Sequence, residues 1–232
     1  MVYYARMEAF RRVTIFAGHY GSGKTNIALN YARALARTGL RTCIADLDIV
    51  NPYFRTKDSA EALAAEGIGL VVSPFANSNV DFPALPKEIY ALVADRSTHV
   101  VMDVGGDDRG ALALGRYTPY ILAENDYDML FVVNFFRPLT ADPPAALGVM
   151  REIEAAAGMS FTGIVNNSNL GEETEARHVL GSVEKAGALS ELSGLPVRMT
   201  TVRRELEREL TSVENLFPVT LQKYYYHIKE KP

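Results

Sequence analysis

Gly18-His19-Tyr20-Gly21-Ser22-Gly23-Lys24-Thr25 decides how this chain is read. It fits G-x-x-x-x-G-K-[ST], the spacing of a phosphate-binding loop. The motif has meaning only between a strand and a helix, and both flanks comply. Val13–Ala17 is an apolar β-rich run leading in. Lys24–Thr38 has helical spacing, with Ile27, Leu29, Tyr31, Ala34 and Leu35 on its inner side. Gly18, Gly21 and Gly23 let the main chain come close to an anion. The loop amides then form a nest at the positive end of the helix. The expected nucleotide-binding set is Gly18, His19, Tyr20, Gly21, Ser22, Gly23, Lys24, Thr25 and Asn26. In such loops the lysine reaches the β- and γ-phosphates and the hydroxyl ligates Mg²⁺, which assigns those roles to Lys24 and Thr25.

Outward from this stretch, apolar runs alternate with helical patterns. Strands are expected at 41–46, 68–72, 99–103, 128–135, 161–165 and 196–202, which with Val13–Ala17 makes about seven. Helices are expected at 59–66, 87–95, 110–123, 145–157, 172–189 and 203–210, and irregular connections at 49–57 and 74–86. Continuous apolar strands alternating with helices imply an α/β fold of three layers, a mostly parallel sheet with helices on both faces. Residues 1–12 read as a lead-in and 13–232 as one domain. Ligands of such sheets bind beyond the carboxyl ends of the strands. Two acidic strand ends fall there with the loop. Asp103 ends an apolar run and is placed to hold Mg²⁺ directly or through water. Gly106 follows three residues later, where its amide can sense a γ-phosphate. Asp46-Leu47-Asp48 alternates in an extended chain, so both acids share a face. Asp48 is placed to orient or deprotonate water, and Asp46 to support the metal.

Gly18 to Thr25, Asp46-Leu47-Asp48 and Asp103-Val104-Gly105-Gly106, in this order, resemble the MinD/ParA/CobQ-type P-loop ATPases of the SIMIBI class. The resemblance spans about Val13 to Val202. It implies a slow Mg²⁺-dependent ATPase acting as a nucleotide-controlled switch, with ATP and Mg²⁺ as ligands and a homodimer as the assembly. It gives Lys24 and Asp48 the catalytic roles and Thr25, Asp46, Asp48 and Asp103 the metal. It places Asn166-Asn167, just after a strand, at the adenine ring. One departure stands out. Many members carry a lysine directly after the loop's first glycine, and here that position is His19. Arg55, Arg109 and Arg137 are the candidates for a replacement charge. A guanine reader would need Asn-Lys-x-Asp, and Asn166-Asn167-Ser168-Asn169 lacks both the lysine and the carboxylate. A synthetase or kinase of the same class and a nucleotide-binding interaction module without turnover are the alternatives.

Composition agrees with a soluble globule. The 232 residues are 48% hydrophobic and 22% charged, with a net charge of −4. No strong basic block marks a nucleic-acid surface. No run reaches the roughly 18 apolar residues of a membrane span, and the first residues lack the pattern of a signal peptide. Cys43 is the single cysteine, which excludes an intramolecular disulfide and a paired-cysteine cluster and fits a reducing cytoplasm. His99, His178 and His227 lack metal-ligand spacing, and Tyr224–Tyr226 reads as a core-packing patch.

Overall fold

The computed structural model describes residues 10–48, 57–72, 87–106 and 108–221. Arg55, most of the connections expected at 49–57 and 74–86, Tyr224–Tyr226, His227 and the side chain of Arg109 lie outside the described residues. The chain runs β1 (Val13–Ala17), α1 (Lys24–Arg37), β2 (Thr42–Leu47), α2 (Lys57–Ala65), β3 (Ile68–Val72), α3 (Lys87–Ala94) and β4 (His99–Val104). It continues with α4 (Asp108–Gly115), α5 (Thr118–Glu124), β5 (Tyr127–Val133), α6 (Pro143–Ala157), β6 (Gly163–Asn166), α7 (Ala176–Ser193), β7 (Val197–Arg203) and β8 (Leu216–Val219).

The strands form one sheet in the order β3-β2-β4-β1-β5-β6-β7-β8. All seven pairings are parallel. Side chains alternate between the two faces of a strand, so a sheet covered on both faces needs apolar residues at every position. β1 shows this: Val13, Ile15 and Ala17 enter one core, Phe16 the other. The first core is closed by Ile89 and Val93 of α3, Leu114 of α4, Ile121 of α5, Ala146 and Met150 of α6, and Ala186 and Leu189 of α7. The second is closed by α1, through Ile27, Tyr31 and Leu35, and by Leu63 of α2. The result is the expected three-layer α/β fold.

The sheet has eight strands rather than about seven. β8 is four residues long and contains Pro218, a weak strand signal that an edge position tolerates because one side of an edge strand makes no ladder bonds. The helix expected over 110–123 is two helices, broken at Arg116-Tyr117 before Pro119 in the first turn of α5. The segment expected as a helix at 203–210 is a 3-10 turn over Arg204–Glu209.

At the amino ends of the strands, Arg12 is only 4% exposed. Its guanidinium donates to the carbonyls of Val93 at 2.7 Å, Asp95 at 3.2 Å and Thr98 at 3.3 Å, and pairs with Glu124. This one side chain ties the start of β1 to the end of α3 and the end of α5. The pair holds the Glu124 carboxyl below its usual range. Removing one partner of a buried pair leaves the other uncompensated. Arg12→Ala should therefore lower the unfolding free energy by about 3–5 kcal/mol, read from the urea midpoint at constant slope. Nucleotide affinity should not change, because Arg12 is about 20 Å from the phosphate loop along β1. A loss below about 1 kcal/mol would contradict this account of the pair.

Candidate active site

The carboxyl ends of β1, β2 and β4 meet because those strands are adjacent in the sheet. Across β2 and β4, Asp46 stands opposite Asp103, and Asp103 stands opposite Phe16 of β1. The phosphate loop leaves β1 at Gly18 and enters α1 at Lys24. Its geometry explains its glycines. Gly23 caps the helix with φ 90°, a left-handed angle that other residues rarely adopt. A Cβ on Gly18 would lie 2.2 Å from the Val132 carbonyl oxygen of β5. A Cβ on Gly106 would lie 2.4 Å from the Tyr20 amide nitrogen. The loop is thus pressed between the end of β4 on one side and the end of β5 on the other.

Inside this collar are the chemical groups. Lys24 and Thr25 are buried in the first turn of α1, where no intrahelical acceptors exist for their amides. Lys24 Nζ donates to the His19 carbonyl at 3.4 Å, across the loop. Thr25 Oγ1 donates to Asp103 Oδ2 at 2.6 Å. Asp103 is fully buried, and its Oδ1 has no hydrogen-bond partner. Ser22 Oγ is likewise buried without a partner. At the mouth of an anion-binding loop, two orphaned polar atoms on neighbouring elements suit a ligand or ion. Burial above all raises the Asp103 carboxyl, and the Asp48 charge adds to it; against the pull of Lys24 and the Thr25 hydrogen bond the group comes to about 7. Asp48 is buried beside this group, its amide donating to Asp46 Oδ1 at 2.9 Å.

This donor set suits a hard cation brought in with phosphate. Mg²⁺ takes one or two carboxylates and keeps water and phosphate oxygens for the rest of its shell. Among the described residues no three or more His, Cys, Asp or Glu side chains gather into a self-sufficient metal cage. Thr25, Asp46, Asp48 and Asp103 are brought together; the residues present fit a nucleotide-borne metal.

The side chains of Asn166 and Asn167, expected at the adenine ring, make internal hydrogen bonds in the ligand-free fold. Asn166 Nδ2 donates to Ser182 at 2.8 Å, and its Oδ1 accepts from the Ser168 hydroxyl at 2.7 Å. Asn167 Nδ2 donates to the Ser22 carbonyl at 2.6 Å, and its Oδ1 accepts from Thr201. Both amides are buried and engaged at both ends. Asn167 lies directly under Gly23, where a Cβ would approach its Nδ2 to 2.3 Å. Through these bonds Asn167 ties the phosphate loop to β7, while Asn166 ties the end of β6 to α7. Sequence gave no sign of this, because the partner Ser22 is 145 positions away. Of the three candidate cations, Arg137 is the one whose side chain falls among the described residues, and its Nε donates to the Gly21 carbonyl at 3.0 Å.

Comparisons with known proteins agree with this geometry. The family described as the CobQ/CobB/MinD/ParA nucleotide binding domain matches residues 13–194. No curated protein matches the chain. Among solved structures, FtsY from Mycoplasma mycoides is similar with a TM-score of 0.51 at 17% identity, covering 86% of this chain and 66% of that one. The cell division protein FtsY from Thermotoga maritima is similar with a TM-score of 0.55 at 16% identity, covering 85% and 63%. The chain spans less than two thirds of the length of these FtsY chains, and the likeness concerns the fold alone.

The buried acid yields a test with a sign. In the ligand-free fold, Asp103 keeps its proton up to about pH 7, whereas in the unfolded chain it ionises near about 3.9. The folded state therefore holds the extra proton, and stability falls as pH rises from about 4 to about 7. Asp103→Asn removes this penalty. At pH 8 without nucleotide or metal, its melting temperature should exceed wild type by about 2–4 °C for each kcal/mol recovered. The same variant should lose the effect of Mg²⁺ on nucleotide binding. A melting temperature unchanged or lowered at pH 8 would contradict the reading.

Proposed function

The chain belongs to the CobQ/CobB/MinD/ParA nucleotide-binding family, and from that premise we propose that it binds ATP with Mg²⁺, hydrolyses the nucleotide slowly and uses the cycle as a switch. One observation carries the reading. A buried carboxylate with an orphaned oxygen sits against Thr25, next to Lys24, at the mouth of an amide-lined loop. A fully desolvated acid is costly to the fold, and a triphosphate with its metal is the ligand that uses it.

Each residue has a task in this proposal. The loop amides and Lys24 hold the β- and γ-phosphates and neutralise the charge that builds as the terminal bond breaks. Thr25 and Asp103 would hold Mg²⁺, which would supply positive charge to offset that of the phosphates. Asp48 orients water for in-line attack on the γ-phosphorus, and Asp46 fixes Asp48 through its amide. Gly106, pressed against His19 and Tyr20, registers the terminal phosphate, and the switch consists of that contact changing on its loss. ATP is preferred over GTP because Ser168-Asn169 offers no carboxylate to accept from the guanine edge. The protein works in the cytoplasm as a homodimer that closes over nucleotide.

His19, where many relatives carry lysine, favours a second reading, a nucleotide-binding interaction module with negligible turnover. Single-turnover kinetics separate the two. Lys24→Ala should weaken ATP binding by at least about 100-fold, more than a single neutral hydrogen bond provides. Asp48→Ala should keep ATP affinity within about 3-fold yet slow hydrolysis by about 10²–10⁴-fold. Equal rates for wild type and Asp48→Ala would favour the inert module. Calorimetry should show ATP binding more tightly than GTP, and light scattering should show ATP shifting the balance toward dimer; tighter GTP binding, or no shift, would refute those parts.

A further inference from the structure

We propose that Arg137 is the second cation of the phosphate site, a latch that rests on the loop carbonyl and takes the terminal phosphate when a triphosphate binds. The proposal rests on the nucleotide reading above and adds to it a residue that discriminates between nucleotide states.

The argument starts from β5. This strand lies next to β1, with Phe131 opposite Ala17, so its carboxyl end emerges beside the phosphate loop. The turn that follows is stiff. The Phe136 amide donates to Asn134 Oδ1 at 3.0 Å, the Arg137 amide donates to the Asn134 carbonyl at 3.1 Å, and Thr140 Oγ1 donates to the same carbonyl at 2.7 Å. Asn134 is itself held by Asn169, whose carbonyl accepts from Asn134 Nδ2 at 3.1 Å. Pro138 opens the short 3-10 turn that comes next. The backbone of Arg137 is therefore fixed before its side chain makes any contact.

That side chain returns to the loop. Its Nε donates to the Gly21 carbonyl, and the guanidinium carbon would lie 3.9 Å from a Cβ on Gly21. A guanidinium has five N–H donors and cannot lose its charge in a protein. Only Nε is engaged; among the described residues, neither Nη makes a hydrogen bond and no carboxylate pairs with Arg137. A permanent charge with four idle donors thus stands at the rim of an anion-binding loop, exposed to solvent. Arginine forks suit phosphate oxygens geometrically. A short pivot about the Gly21 bond brings the free edge to a terminal phosphate, which a diphosphate lacks. A Cβ at position 21 would lie 3.5 Å from the Arg137 Nε, an ordinary van der Waals separation, so the guanidinium packs directly against the loop at this point.

The test compares MgATP and MgADP binding by calorimetry in the full chain for wild type, Arg137→Ala and Arg137→Lys, with melting curves to confirm folding. Arg137→Ala should weaken MgATP binding by about 10-fold or more and MgADP binding by less than about 3-fold, so the ATP-to-ADP affinity ratio falls. Arg137→Lys, which retains charge but loses the fork, should recover part of the ratio. The single-turnover rate of Arg137→Ala should fall alongside. Equal losses for both nucleotides would reduce Arg137 to a brace on the loop and overturn the proposal, as would no loss at all. If wild type binds neither nucleotide, the nucleotide reading itself fails and this inference falls with it; if wild type binds both and only the ratio test fails, the inference alone is wrong.

Discussion

A hydroxyl-to-carboxylate bond at the heart of the sheet, Thr25 Oγ1 to Asp103 Oδ2 at 2.6 Å, holds the site together. It joins the first turn of α1 to the end of β4, two elements 78 positions apart. A carboxyl group at that depth would be neutral if left alone. Lys24 and Thr25 work against desolvation to bring it back toward ionisation near neutral pH. The helix end and the acid therefore depend on each other electrostatically. Neither arrangement would be stable without the parallel sheet that forces β1 and β4 to end together.

Around that pair the fold acts as a vise on one loop. Gly106 presses on it from the end of β4, and Gly18 accepts the approach of the Val132 carbonyl from the end of β5. Asn167 and Arg137 hold the neighbouring carbonyls of Ser22 and Gly21. Two loop carbonyls held by side chains from the ends of β6 and β5 restrain the peptides of the loop. Preorganised dipoles of this kind cost nothing to reorient when charge arrives, which is how a site built mostly of backbone amides can bind a highly charged tail.

Much of this was legible in the order of residues. The loop, its flanking strand and helix, and the acids at 46, 48 and 103 follow from motif spacing and apolar periodicity, because each signal is local. What escaped reading is non-local or weak. β8 is too short and carries Pro218, so pairing with β7 rather than propensity makes it a strand. The break between α4 and α5 arises where Tyr117 turns inward and is fully buried, a packing outcome that helical periodicity hides. The hold of Asn167 on Ser22 and Thr201 is equally non-local, since only the folded chain brings those residues to it. Arg12 looked like part of a lead-in until its buried partners at Val93, Thr98 and Glu124 became visible.

The central claim is that the amide loop ahead of α1 holds a triphosphate whose metal is steadied by Thr25 and Asp103. A crystal structure with Mg²⁺ and a non-hydrolysable ATP analogue tests it most directly. The account predicts phosphate oxygens within hydrogen-bond distance of the amides from Gly21 to Thr25, with the metal at the Thr25 hydroxyl and the currently orphaned Asp103 oxygen facing its shell. An analogue bound elsewhere, with the loop empty and the Thr25–Asp103 bond undisturbed, would contradict it.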